Sequence, residues 1–96
     1  MFVGYAKLFI DIPGSMSLKD KRSVLRPVKE KIRNEFNISF AEVEDQDKWQ
    51  KATFGLAMVA LNEELIRKKI IEIIHQIEVR GEAEVIDSDL EIFATD

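Results

Sequence analysis

Ninety-six residues, a net charge of −4 and no cysteine read as one domain spanning 1–96, without a disulfide scaffold, a cysteine-ligated zinc or a thiol nucleophile. Hydrophobic residues at 46 % suffice for one core, and a charged fraction of 33 %, mixed in sign, argues against disorder. The opening "MFVGYAKLFIDIP" shows no basic leader and no small-residue cleavage site, and its apolar run is too short to cross a bilayer, so a cytoplasmic protein with no membrane partner is expected.

Residues 2–12, rich in aromatic and β-branched types, end at Pro13-Gly14 and predict a strand followed by a turn. Ser17 is a candidate N-cap, with Asp20 three residues on in the manner of a capping box. Leu18, Leu25, Val28, Ile32 and Phe36 follow at helical spacing, which predicts a first helix over 18–36. Pro27 lies inside it, where a ring without an N–H usually kinks the axis. Residues 37–44 alternate as a strand, 45–50 read as a polar loop, and 51–61 form a long apolar strand suited to the middle of a sheet. Asn62 caps a second helix whose buried stripe is Ile66, Ile70, Ile73, Ile74 and Ile77, and Gly81 stops it. Residues 82–93 predict a last, acidic edge strand.

The order β-α-β-β-α-β, with right-handed crossovers and adjacent pairing, leaves one dominant solution. It is an α+β, ferredoxin-like fold: a four-stranded antiparallel sheet, strands one and three central, both helices on one face. The stretches "P-G-S-x-S-L-K-D-K-R-S-V-L-R", "R-N-x-F-N-I-S-x-A-E-V" and "Q-D-x-W-Q-x-A" resemble the YlxP-like family of small bacterial proteins. The resemblance runs in register from the first strand through the third, while the second helix and last strand fit by pattern. It implies the same ferredoxin-like fold and a link to RNA or the ribosome, and it carries over no catalytic residues.

Charge is unevenly spread. Residues 17–36 hold seven bases and three acids, and the remainder seven bases and fifteen acids, so net +4 stands against −8. On a helical wheel Lys19, Arg22, Arg26, Lys29 and Arg33 recur at spacings of 3, 4, 3 and 4 and share one flank beside the apolar stripe. Fourteen residues of helix span roughly 21 Å, several phosphate spacings of a nucleic acid strand. The flank is therefore a candidate polyanion-binding ridge. The competing reading is a solvated flank whose aliphatic stems cover the core edge or whose charges pair with acids of the last strand or of the 42–47 loop.

Helices on one face leave the other face of the sheet open. In the third strand small residues suit close helix packing, which assigns Thr53, Gly55, Ala57, Val59 and Leu61 inward. Ala6, Leu8 and Ile10 are assigned inward in the first strand by the same criterion. Val3, Tyr5, Phe9, Phe54, Leu56 and Met58 are then expected on the open face around Lys7. A largely apolar patch of this kind suits a homodimer or other protein interface. Base stacking is the alternative, but Leu56 and Met58 are not stacking residues and only Phe54-Gly55 echo the RNA-recognition motif.

Glu42, Glu44, Asp45 and Asp47 cluster in the loop that carries the lone Trp49. Asp45-x-Asp47 lacks the glycine and distal glutamate of a calcium loop, and no metal or cofactor is expected. Trp49, if exposed among these acids, is a natural anchor for a protein partner. His75 falls off the isoleucine stripe with no Ser or Cys motif to pair with, so no nucleophilic triad and no enzyme are expected. The expected function is non-catalytic binding of RNA or the ribosome through the first helix. The alternative is an interaction or assembly module using the open sheet and Trp49.

Overall fold

The computed structural model describes all 96 residues. The elements are β1 (Phe2–Asp11), α1 (Leu18–Glu35), β2 (Ser39–Glu44), β3 (Lys51–Ala60), α2 (Glu63–Glu78) and β4 (Glu84–Ala94). The sheet runs β2-β3-β1-β4 and every neighbouring pair is antiparallel. This is the ferredoxin-like arrangement expected, with β1 and β3 central and the acidic β4 at an edge. Beyond the strands, the Thr95 N–H donates to the Met1 carbonyl at 2.8 Å, extending the β1–β4 alignment.

Both helices form by apolar periodicity and by caps. Ser17 Oγ accepts from the Asp20 N–H at 3.0 Å, and the Asp20 carboxylate reaches back to the Met16 N–H at 3.0 Å, one residue earlier than in a standard box. Asn62 Oδ1 accepts from the Leu65 N–H at 2.9 Å, with Glu63 and Glu64 in the favourable first turn. α1 buries Leu25, Val28 and Ile32, and α2 buries Ile66, Ile70, Ile73 and Ile77. These spacings of 3 and 4 place each set on one stripe. α1 is a single continuous helix from Leu18 to Glu35 with Pro27 inside it.

The helices cover one sheet face with a single cluster of 17 buried residues. Ala6, Leu8 and Ile10 of β1 face it as expected. The parity of β3 is the reverse of that expected. Phe54, Leu56 and Met58, assigned to the open face, are 0 %, 4 % and 5 % exposed and point into the core, together with Ala52. The register enforces this, because antiparallel partners share a face: Leu8 stands opposite Phe54 and Ala6 opposite Leu56. Phe54 stacks on Phe40 of β2, centroids 4.7 Å apart and planes 9° from parallel.

The criterion of small residues failed because the close helix approach lies on β1. A Cβ placed on Gly4 would stand 2.7 Å from Ile66 Cγ2 of α2. Where the helices stand further off, large side chains are needed to fill the layer. Gly55, Ala57 and Val59 therefore line the open face, with Val43 packed over Gly55.

Candidate nucleic-acid interface

α1 brings Lys19, Arg22, Arg26 and Lys29 to one side of the molecule. Lys19, Arg22 and Arg26 are exposed and Lys29 half-buried. None of the four lies within ion-pair distance of a carboxylate; the ion pairs of the protein are Lys7–Glu44, Lys21–Glu42, Lys48–Asp45 and Arg67–Glu63. Arg33, the last member of the expected ridge, is exposed but committed. Its Nε and Nη2 donate to the Phe40 carbonyl at 3.1 and 2.8 Å, tying the end of α1 to the edge strand β2. The effective ridge thus ends at Lys29.

Two depressions flank the ridge and share Arg22 and Arg26. One is shallow, about 440 Å³, and is bounded by Lys19, Ser23 and Pro27. The other is a cleft of about 250 Å³ between α1 and the end of β2, lined by Leu18, Lys21, Leu25, Lys29, Glu42 and Gln46. Lys21 forms its floor. The residue stands four before Leu25 and seven before Val28, on the buried stripe of the helix, and it is 3 % exposed. Burying an ammonium is costly unless it is paired and hydrogen-bonded. Here Nζ donates to the Asp45 carbonyl at 2.7 Å and lies 2.8 Å from Glu42 Oε2. Sequence reasoning missed this site, though a lysine in the apolar stripe of an amphipathic helix was the visible signal.

The turn after β2 is built to hold that contact. Asp45 sits at φ 64, a left-handed conformation that Asp tolerates better than most residues. Its carboxylate accepts from Thr53 Oγ1 at 2.8 Å and pairs with Lys48 at 3.4 Å. The Thr53 hydrogen bond, aided by Lys48 and Lys21, holds the Asp45 carboxyl below its ordinary value. The loop is docked at its far end as well. Gln50 Nε2 donates to the Ser15 carbonyl at 3.0 Å, and the Ile12 N–H donates to the Gln50 carbonyl at 2.9 Å. Trp49 is 53 % exposed there, beside a shallow depression that it lines with Met16, Asp47 and Lys51.

On the open sheet face, Tyr5 and Phe9 lie where expected, Tyr5 exposed and Phe9 half-buried. Val59, Val3 and Phe93 form one cross-strand row, and Tyr5 meets Phe93 edge-on with centroids 6.5 Å apart. Lys7 pairs with Glu44 in front of β3, and that hydrogen bond raises the ammonium above its ordinary value. Asp87, Asp89 and Glu91 of β4 stand opposite Phe9, Lys7 and Tyr5 and make this side acidic. His75 on α2 is exposed. No helix is long and apolar enough to cross a membrane.

Comparison with known proteins agrees with this architecture. The chain is 40 % identical over 58 residues to "Uncharacterized protein YlxP" of Bacillus subtilis (strain 168), a match over 60 % of this chain and 63 % of that one, so it spans less than two thirds of that relative's length. The designed protein "De novo designed protein Foldit4" superposes with a TM-score of 0.56 over the full length of both chains at 9 % identity, a likeness of fold alone. The family described as "Protein of unknown function (DUF503)" matches residues 3–90, nearly the whole sheet and both helices, and the chain belongs to this YlxP-like family.

Proposed function

We propose that the protein is a non-catalytic RNA-binding protein, acting on free or ribosomal RNA in the cytoplasm, and that α1 is its contact surface. One observation carries the reading: four bases within eleven residues stand on one helix flank with no carboxylate partner in a chain of net charge −4. A merely solvated flank in an acidic protein has eighteen carboxylates available to neutralise it. The rival basic cluster on α2 is differently employed, since Arg67 pairs with Glu63 at 3.3 Å and Lys69 lies 5.9 Å from the centroid of the Phe36 ring.

Fluorescence anisotropy with a single-stranded RNA, titrated with salt, tests it. Arg22→Glu with Arg26→Glu should weaken binding for every RNA sequence and flatten the log-log salt slope by about one unit per lost phosphate contact. Thermal stability should hardly change, because exposed charges contribute little to folding. Unaltered binding in this variant, with loss in Arg67→Glu/Lys68→Glu, moves the site to α2. A second reading, homodimerisation through the open sheet face, is favoured by the row of Val59, Val3 and Phe93 beside Tyr5, exposed save for the half-buried Val3. Trp49 offers a separate protein contact.

A further inference from the structure

The cleft beside the ridge contains one group that a plain phosphate-binding surface does not need. Glu42 is the single acid among Lys21, Arg22, Arg26 and Lys29. Its Oε2 is buried and turned to Lys21 at 2.8 Å, without the alignment of a hydrogen bond; the directed bond from Lys21 goes to the Asp45 carbonyl. One carboxylate oxygen is thus engaged by the ion pair, and the other, Oε1, takes no hydrogen bond from the protein. A carboxylate is an acceptor only, and beside a bound phosphate it repels unless the ligand also brings a donor. At about 250 Å³ the cleft lies just below the usual range of about 300–1,000 Å³ for ligand pockets. It suits one sugar–phosphate unit better than a large molecule.

We propose that this cleft distinguishes RNA from DNA, with Glu42 Oε1 accepting a ribose 2′-hydroxyl while Arg22, Arg26 and Lys29 hold the adjacent phosphate. The inference rests on the RNA-binding reading above and adds to it a specificity residue. The 2′-hydroxyl is the group by which a protein can tell the two nucleic acids apart at a given position. In DNA the carboxylate faces a phosphate with no donor between them, so the loss exceeds that of one neutral hydrogen bond.

The test compares three 12-nucleotide single strands of the same sequence at fixed salt: RNA, DNA and 2′-fluoro RNA, which keeps a ribose-like pucker and cannot donate. RNA is expected to bind roughly tenfold more tightly than either of the others. A double variant, Lys21→Met/Glu42→Leu, removes the buried pair as a unit, a change that cores often tolerate. It should close the gap between RNA and DNA while leaving a salt-dependent affinity for both. Should that variant fail to fold, the 2′-fluoro arm on the unaltered protein still decides. Equal, salt-dependent binding of RNA and DNA would overturn the inference and leave the ridge reading standing. So would 2′-fluoro RNA binding as tightly as RNA, or a gap that persists in the double variant. Absence of binding to all three strands removes the ridge reading and this inference with it.

Discussion

Gly4 shows how much one missing side chain fixes. It stands on the central strand β1, where Ile66 of α2 comes down onto the sheet, and Ile66 is fully buried. A methyl at Gly4 would stand 2.7 Å from Ile66 Cγ2, a branch of a fully buried side chain that would have to shift. Gly4→Ala should therefore lower unfolding free energy by about 1–3 kcal/mol, the usual cost of overpacking. Gly14→Ala, with nothing within 4 Å of its Cβ position, should be close to neutral in the same urea titration. Asp45 gives a second expectation at this scale. Its carboxyl is lowered in the folded state from its ordinary value of 3.8, chiefly by Thr53. A depressed folded value means that the stabilisation is fully present above the unfolded value and is lost as pH falls through the folded one. Asn is also tolerated at a left-handed φ, so Asp45→Asn isolates the charge. The advantage of the native protein over Asp45→Asn should be present at pH 7 and should shrink below about pH 4. A difference in denaturation midpoint that stays constant with pH would contradict this account.

At the scale of elements, α1 is the informative case. It runs through Pro27 unbroken, with the Ser23 carbonyl deprived of the donor a normal residue would supply. Pro27→Ala should restore that hydrogen bond and stabilise by about 1 kcal/mol, without altering the RNA affinity proposed for the ridge; thermal melts and anisotropy measure the two. The sequence foretold all six elements and their order, because caps and periodicity are local signals that tertiary structure did not override. Helix faces were legible for the same reason: Leu25, Val28 and Ile32 announce a stripe. The faces of β3 were not, since Ala52, Phe54, Leu56 and Met58 alternate with Thr53, Gly55, Ala57 and Val59, and both sets are free of charge. Only the register against β1 decides between them, and register is a long-range property. The ridge was legible from spacing alone, but the commitment of Arg33 to Phe40 was not, because that carbonyl belongs to another element. The Lys21–Glu42 pair likewise joins α1 to β2 and appears only when both are placed.

For the whole molecule, the corrected parity changes what a surface experiment must target. Phe54 and Met58 are core residues, so Phe54→Ala should cost about 3–5 kcal/mol of stability and report nothing about assembly. Tyr5→Glu with Val59→Glu alters the open face without touching the core, since both side chains are more than half exposed. If the protein self-associates through this face, the native chain should sediment as a dimer and this variant as a folded monomer. A native chain that stays monomeric at high concentration excludes the dimer. The molecule also has two poles of use: bases on the helix layer at α1, acids on the open side at β4. Under the RNA-binding proposal, a polyanion held at the first would be repelled from the second by charge, which would leave the sheet face clear.

The strand order has a temporal meaning as well. β1 is central, yet Phe2 pairs with Ala60 on one side and with Ala94 on the other. β1 acquires its second neighbour only once β4, beyond α1, β2, β3 and α2, has been made. Closing a loop of that length is entropically demanding, and topologies dominated by such distant pairings fold more slowly than local ones. During synthesis one edge of β1 stays open until β3 arrives, and the other until β4 does. The interval between those two events is the stage at which a nascent copy is most exposed to pairing with the wrong strand.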